Sequence, residues 1–108
     1  MQNDAYFERL EVQLEQLADK KSLHHEEGLK LIEMYRTALI EMLFEVNDRP
    51  VDPARVGELE YKPLNMVERY DFISANSFHF MRFEQMKTLR DEIKKVAAVK
   101  RIRDKRNK

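Results

Sequence analysis

Basic residues crowd the C-terminal end of the chain, where they could neutralise phosphate groups. From residue 94 onward Asp104 is the one acid. The bases are Lys94, Lys95, Lys100, Arg101, Arg103, Lys105, Arg106 and Lys108. Binding phosphates with such a stretch releases counterions and gives sequence-independent affinity for nucleic acid. The stretch holds no aromatic side chain on which bases could stack, so it does not favour single-strand recognition.

The same bases have other interpretations. Residues 1–80 carry a net charge of −7 and residues 81–108 a net charge of +7. The acidic part of the same chain, or of a second copy in a homodimer, is therefore an electrostatic partner for the basic end. Cations in the last turns of a helix also interact favourably with the helix dipole. An acidic partner protein is a further alternative, and the sequence leaves all of these open.

An aromatic cluster opens the last predicted helix. Each residue turns a helix by about 100°, which places Phe78 and Phe83 on the core face and points Phe80 and Met81 elsewhere. Aromatic residues and Met are enriched in the buried centres of protein interfaces. We therefore predict that Phe80 and Met81 bind an unidentified protein partner. Coverage of these two side chains by the preceding short helix is the alternative.

Residues with metal or catalytic chemistry do not form a recognisable site. Glu does not precede any of the three histidines by three residues, the spacing used in di-iron bundles. Adjacent His24 and His25 would lie about 100° apart on a helix. The chain has no Cys, and its two glycines, Gly28 and Gly57, cannot form a phosphate-binding loop. We predict no metal, no cofactor, no catalytic residue and no enzymatic activity.

The composition predicts one small all-α domain. Only 2 Gly and 3 Pro in 108 residues disfavour a β-sandwich or barrel, which needs many tight turns. The apolar runs are too short to span a membrane, and the N-terminus has no secretory signal pattern. We therefore expect a cytoplasmic protein that does not bind membranes.

Apolar periodicity predicts the first two helices. Residues Asp4 to Asp19 carry one apolar seam, formed by Phe7, Leu10, Leu14 and Leu17. Ser22 is the predicted N-cap of a second helix that continues to Val46. Apolar residues cover more than half of the circumference of this second helix, as is typical of a central helix with several neighbours.

Prolines divide the middle of the chain, since Pro50, Pro53 and Pro63 cannot lie inside a helix without loss of a hydrogen bond. Asp52 before Pro53 predicts the start of a short helix that reaches about Glu60. Asn65 and Glu68 have the spacing of a capping box, which predicts another short helix from Met66 to about Ala75.

Ser77 is the predicted N-cap of the last helix. Its single apolar face consists of Phe78, Phe83, Met86, Leu89, Ile93, Val96 and Ala97. Beyond Val99 this spacing fails, so we predict a helical domain over residues 1–98 and a frayed basic tail over residues 99–108. The fold class is a bundle of three main helices with one or two short connecting helices, in which the first two helices form an antiparallel hairpin.

The segment Lys62–Ile73 resembles the core signature of the YpoC-like family of small helical proteins from Gram-positive bacteria. In that pattern Pro63 and Asn65 precede an Arg-aromatic-Ile stretch, and Phe83-Glu84-Gln85-Met86 continues it towards Leu89 and Glu92. The family pattern also has a proline near the break between the two helices, where this chain has residues 74–77 without one.

The resemblance implies a helical domain with no assigned activity and no catalytic residue to carry over. Family members are often encoded beside a replication-initiation protein and a base-excision endonuclease, which implies a link to DNA replication or repair. We predict a non-catalytic protein-interaction module. The alternative is non-specific nucleic-acid binding through the basic C-terminal end.

Overall fold

Four α-helices and one 3₁₀ helix build the described part of the protein in a computed structural model. The structure describes residues 4–106. The helices are α1 Asp4–Asp19, α2 Glu26–Val46, a 3₁₀ helix Pro53–Glu58, α3 Met66–Ser74 and α4 His79–Arg106. Residues 4–106 contain no β-strand, and the predicted all-α bundle is confirmed. No helix within this range is long and apolar enough to cross a membrane.

Ion pairs show that α2 and α4 run parallel. Near the start of α4, Arg82 Nη2 lies 3.3 Å from Glu33 Oε1 in the first half of α2. Near its end, Lys100 Nζ lies 2.7 Å from Asp48 Oδ2, just beyond α2. Because the two helices are parallel, the chain must return along the length of α2 between them, and residues 47–78 make this return.

The first helix, α1, runs antiparallel to α4. Lys87 Nζ lies 2.5 Å from Glu15 Oε1, and Lys94 Nζ lies 3.4 Å from Asp4 Oδ1, so later residues of α4 meet earlier residues of α1. With α4 parallel to α2, α1 and α2 form the predicted antiparallel hairpin. The bundle therefore contains one parallel pair, α2 and α4, and α1 runs antiparallel to both.

The core lies around α2, as its wide apolar surface predicts. The Tyr35 ring is fully buried and meets Phe7 of α1 and Phe83 of α4 edge-on, with centroid distances of 5.2 and 6.4 Å. Tyr35 Oη donates a 2.8 Å hydrogen bond to Glu11 Oε2, which satisfies its one polar atom. Burial raises the pKa of the Tyr35 phenol. One residue of α2 thus joins three helices.

The predicted Ser22 N-cap is wrong, because α2 begins only at Glu26. The intervening residues close α1 instead: Lys21 has a left-handed backbone with φ 56°, and the Ser22 amide donates to Leu17 O at 2.8 Å. Such a turn satisfies carbonyls that a helix leaves free at its C-terminus. The Ser22 hydroxyl donates to Lys20 O rather than to the first turn of α2.

The two predicted caps in the connecting region have different outcomes. Asp52 caps the 3₁₀ helix as predicted, since its Oδ1 accepts a hydrogen bond from the Ala54 amide at 3.3 Å. Asn65 precedes α3 but has φ 57° and makes no side-chain cap bond, so the predicted capping box is wrong. Its backbone carbonyl, and not its side chain, bonds to the first turn of α3: it accepts a hydrogen bond from the Arg69 amide at 3.0 Å.

Where the sequence predicted a frayed tail beyond Val99, α4 continues as a helix to Arg106, and residues 107–108 lie outside the described part of the chain. Contacts with the connecting region hold this end against the bundle. Lys100 is paired with Asp48, and the Arg103 guanidinium lies 5.5 Å from the centre of the Tyr61 ring. The sequence did not reveal these contacts because the partners are more than 40 positions earlier in the chain.

Candidate interaction surface

The predicted anchors Phe80 and Met81 are both exposed, to 55% and 58%, but they line different grooves. Phe80 faces the turn between α1 and α2, where a groove of ≈ 320 Å³ is also lined by Ala18, Leu23 and His24. This groove is mainly apolar. The structure therefore separates two residues that the sequence suggested as one anchor.

Met81 faces the other side of α4, towards α3. It lines a groove of ≈ 450 Å³ together with Phe72, Gln85 and Thr88. These last three residues also line a second groove, of ≈ 720 Å³, that extends along α3 and α4 as far as Leu64 and Glu92. The two grooves form a continuous furrow between α3 and α4 because they share three lining residues.

Phe78 is the exposed aromatic residue that sequence reasoning missed. The prediction placed it on the core face, but 67% of its surface is exposed. Because α4 begins at His79, Phe78 lies outside the helix, and its backbone has φ 53°. Its ring stacks on Phe72 of α3, with centroids 6.4 Å apart and planes 14° apart. A left-handed backbone is a genuine outlier for a bulky residue, and such outliers often mark functional positions.

Arg82 holds this region in place although only 2% of it is exposed. Its Nε and Nη2 donate to Ile73 O at 3.0 and 2.8 Å, which satisfies a carbonyl in the last turn of α3. Its Nη1 lies 3.2 Å from His79 Nδ1, and its Nη2 approaches Glu33. Burial lowers the pKa of Arg82 and also that of His79. The guanidinium thus fixes the end of α3 against the start of α4, on either side of Phe78.

A charged pair lines the furrow between α3 and α4. Arg69 of α3 donates to Gln85 Oε1 at 2.8 Å and pairs with both carboxylate oxygens of Glu92. This guanidinium lowers the pKa of Glu92. Since both ions are held by several contacts, they act as a clamp between the two helices.

Ion pairs with the body of the protein occupy part of the predicted nucleic-acid site. Lys94 pairs with Asp4, Lys100 with Asp48, and Arg103 lies 3.9 Å from Glu60. No ion pair within residues 4–106 involves the other described bases, Lys95, Arg101, Lys105 and Arg106. Lys108 lies outside the described residues. The structure thus divides the basic end into an intramolecular part and an outward part.

The histidine pair does not gather ligands around it. The rings of His24 and His25 contact each other edge-on, with centroids 4.3 Å apart. Throughout the described chain, no group of three or more His, Cys, Asp or Glu side chains is arranged to hold a metal ion.

Four α-helices that pack around an apolar core and are joined by interhelical ion pairs define a small all-α bundle protein. The chain belongs to the YpoC-like protein family, whose family model matches residues 3–105. The resemblance noted over about a third of the chain is therefore confirmed and extends over nearly all of it. No curated protein and no solved structure matches the chain.

Proposed function

We propose that this protein is a non-catalytic interaction module that binds a partner protein through an apolar end formed by Phe72, Phe78, Phe80 and Met81. The observation that carries the proposal is Phe78. A bulky residue is kept in a left-handed backbone conformation, which costs about 1–2 kcal/mol, and yet its ring remains exposed. Contact of the Phe78 ring with a partner protein compensates for this cost in free energy.

The ionisable groups support a role without catalysis. A carboxyl that acts as a general acid near neutral pH needs a raised pKa. The carboxyl pKa values that are shifted here are lowered, in Asp4 by hydrogen bonding to Arg90, in Glu33 by Arg36 and in Glu92 by Arg69. These carboxylates serve as ion-pair partners.

The proposal is tested by affinity capture with the full chain and three variants. Phe78→Asn removes the ring and places at this position a residue that tolerates a left-handed backbone. Phe80→Asp adds a charge to the apolar end, and Val12→Asp is the control, because Val12 is equally exposed but lies on α1. We expect a specific protein to bind the wild type and Val12→Asp, and to be lost with both aromatic variants.

Circular dichroism and urea unfolding accompany this experiment. We expect the free energy of unfolding of Phe78→Asn to lie within about 1 kcal/mol of the wild-type value, because relief of backbone strain offsets the lost stacking on Phe72. Equal capture by all four folded proteins would overturn the proposal. Proteins of DNA replication and repair are the first partners to test, because the family resemblance implies that process.

Nucleic-acid binding is a second candidate function. The observation that favours it is the set of four outward bases, Lys95, Arg101, Lys105 and Arg106, which are left without ion pairs in the described part of the chain. Their side chains are exposed and follow one another along the last turns of α4. Against it stands the exposure of apolar Val99 and Ile102 among them, since apolar side chains gain nothing from phosphates.

A further inference from the structure

The outward side of α4 carries a regular seam that the bundle leaves largely uncovered. Its residues recur at alternating steps of four and three, the spacing of a two-helix seam. They are Met81, Gln85, Thr88, Glu92, Lys95, Val99, Ile102 and Arg106. Six of them are exposed, and only Gln85 and Glu92, which contact Arg69, are half-buried. At about 1.5 Å per residue the seam is roughly 38 Å long.

Apolar exposure along this seam is not explained by the monomer. Met81 is 58% exposed, and Val99 and Ile102 are exposed to 53% and 54%. Met81 lies in the furrow beside α3, whereas Val99 and Ile102 lie in the second half of α4, on the side turned away from Lys100 and its ion pairs. The first half of the seam thus lines a furrow, whereas the second half is an exposed helix face of similar length.

Charge divides the same surface into complementary halves. On or beside the seam, the first half carries the acids Glu84, Asp91 and Glu92, and the second half carries the bases Lys95, Lys105 and Arg106. Arg101 lies about 200° around the helix from Val99 and takes no part. A parallel pair of α4 helices would place like charges together. An antiparallel pair places the acidic half of each α4 opposite the basic half of the other α4. Charge complementarity therefore favours this orientation and favours a second copy of the chain as the partner.

We propose that two copies of this chain pair antiparallel along the α4 seam, each placing the second half of its α4 in the furrow between α3 and α4 of the other. In this pair, Thr88 lies opposite Val99 of the second copy, and Glu92 lies opposite Lys95 of the second copy. Glu84, at the flank, faces Lys105 of the second copy. The two-fold axis passes between the Glu92 and Lys95 layers, so every contact occurs twice.

This pairing shares Phe72 and Met81 with the apolar end of the proposed function but does not use Phe78 or Phe80, so the two can be tested separately. The variants that test it leave the apolar end unchanged. Loss of self-association with intact capture of a partner would therefore affect only the present inference, and the reverse result would affect only the proposed function.

Sedimentation equilibrium of the full chain across the micromolar to millimolar range is the first test. We expect a dimer that weakens as salt rises, since the flanking contacts are ionic. Val99→Asp combined with Ile102→Asp should weaken it by at least about a hundredfold, because four apolar contacts per dimer are lost. Val12→Asp, on α1, is the matched control and should dimerise as the wild type does. A wild-type monomer at every concentration, or equal dimerisation of all three proteins, would overturn the proposal.

Charge exchange tests the flanking contact. Lys105→Glu places two acids together twice in each dimer and should weaken association about tenfold. Adding Glu84→Lys to that variant restores opposite charges and should recover most of the affinity. Failure of the second substitution to recover affinity would contradict the antiparallel arrangement.

Cysteine cross-linking tests the register, and the chain is suited to it because it contains no Cys. A disulfide needs Cα atoms within about 7 Å. In the proposed pair, residue 88 lies beside residue 99 of the second copy, but the two copies of residue 88 are about 16 Å apart along the axis. Thr88→Cys mixed with Val99→Cys should therefore form a covalent dimer under mild oxidation, whereas neither variant alone should. Cross-linking of a single variant alone, or none in the mixture, would overturn the register.

Discussion

Arg82 illustrates what one buried cation does in this protein. It contacts α3 through Ile73 O, α4 through His79 and α2 through Glu33, and all three contacts use the same guanidinium. A planar group with five fixed donors can satisfy several acceptors at once, which a lysine cannot do. Arg82 therefore links the two sides of the α3–α4 break, in which Phe78 lies, to α2.

Substitution of Arg82 tests that role. Arg82→Met keeps most of the side-chain volume but leaves a buried carbonyl without its donor, so we expect a loss of about 2–3 kcal/mol in the free energy of unfolding. Urea denaturation monitored by circular dichroism measures it. Arg101→Met, at an exposed position, is the control and should change stability by no more than about 0.5 kcal/mol. Equal stability of the two variants would refute the structural role of Arg82.

Ion pairs join α4 to each of the other three α-helices, beside the apolar core that packs them together. The Arg69–Glu92 clamp joins α3 to α4 and gives this contact a pH dependence. Arg69 lowers the pKa of Glu92 below its ordinary value of 4.5, so the folded state favours the charged carboxyl. The stabilisation is therefore complete above pH 4.5 and is lost as the pH falls through the lowered pKa of the folded state.

Glu92→Gln tests this dependence. At neutral pH we expect the free energy of unfolding of the variant to be about 1 kcal/mol lower than that of the wild type. The difference is modest because the pair is partly exposed. The difference should shrink as the pH falls through the lowered pKa of the folded state, and disappear at an acidic pH where Glu92 is protonated in both states. Denaturant unfolding at both pH values measures it. A constant difference would show that the side chain matters for packing and not for charge.

At the scale of the whole molecule, part of the segregated charge is neutralised within the fold. The C-terminal region is basic and the remainder is acidic, and bases from both halves of α4 bind acids of the body. These contacts leave four described bases pointing outward. The cationic surface available to an external ligand is therefore smaller than the sequence suggests.

This reduction sets an expectation for nucleic acid. With about four phosphate contacts, the logarithm of the association constant should fall with log salt with a slope no steeper than about −3.6. We expect duplex DNA to bind no more tightly than about 10⁻⁴ M at physiological salt, the weak end of non-specific affinity. Fluorescence anisotropy of labelled duplex against the full chain and a 1–98 truncation measures both. Micromolar binding lost on truncation would place nucleic acid ahead of a protein partner.

Local pattern alone predicted the helices well. The seam of Phe7, Leu10 and Leu14 defined α1, and the broad apolar surface of α2 identified the central helix, because both follow from periodicity within one element. Proline and Asp52 likewise located the 3₁₀ helix. The Ser22 and Asn65 caps were predicted wrongly, because the Ser22 hydroxyl bonds locally to Lys20 O and the Asn65 backbone is left-handed.

The composition and periodicity of this sequence determined an all-α bundle, its main helices and its segregated charge. Tertiary structure decided which charges are neutralised and which aromatic residues are exposed. Lys100 and Asp48 are 52 positions apart, and no local rule reports that they meet. Phe78 fits a helical core pattern, but α4 starts one residue later, and this small shift moves its ring from the core to the surface. The break before α4 is also held by contacts between distant positions, such as that of Arg82 with Glu33, and periodicity within one helix cannot specify them.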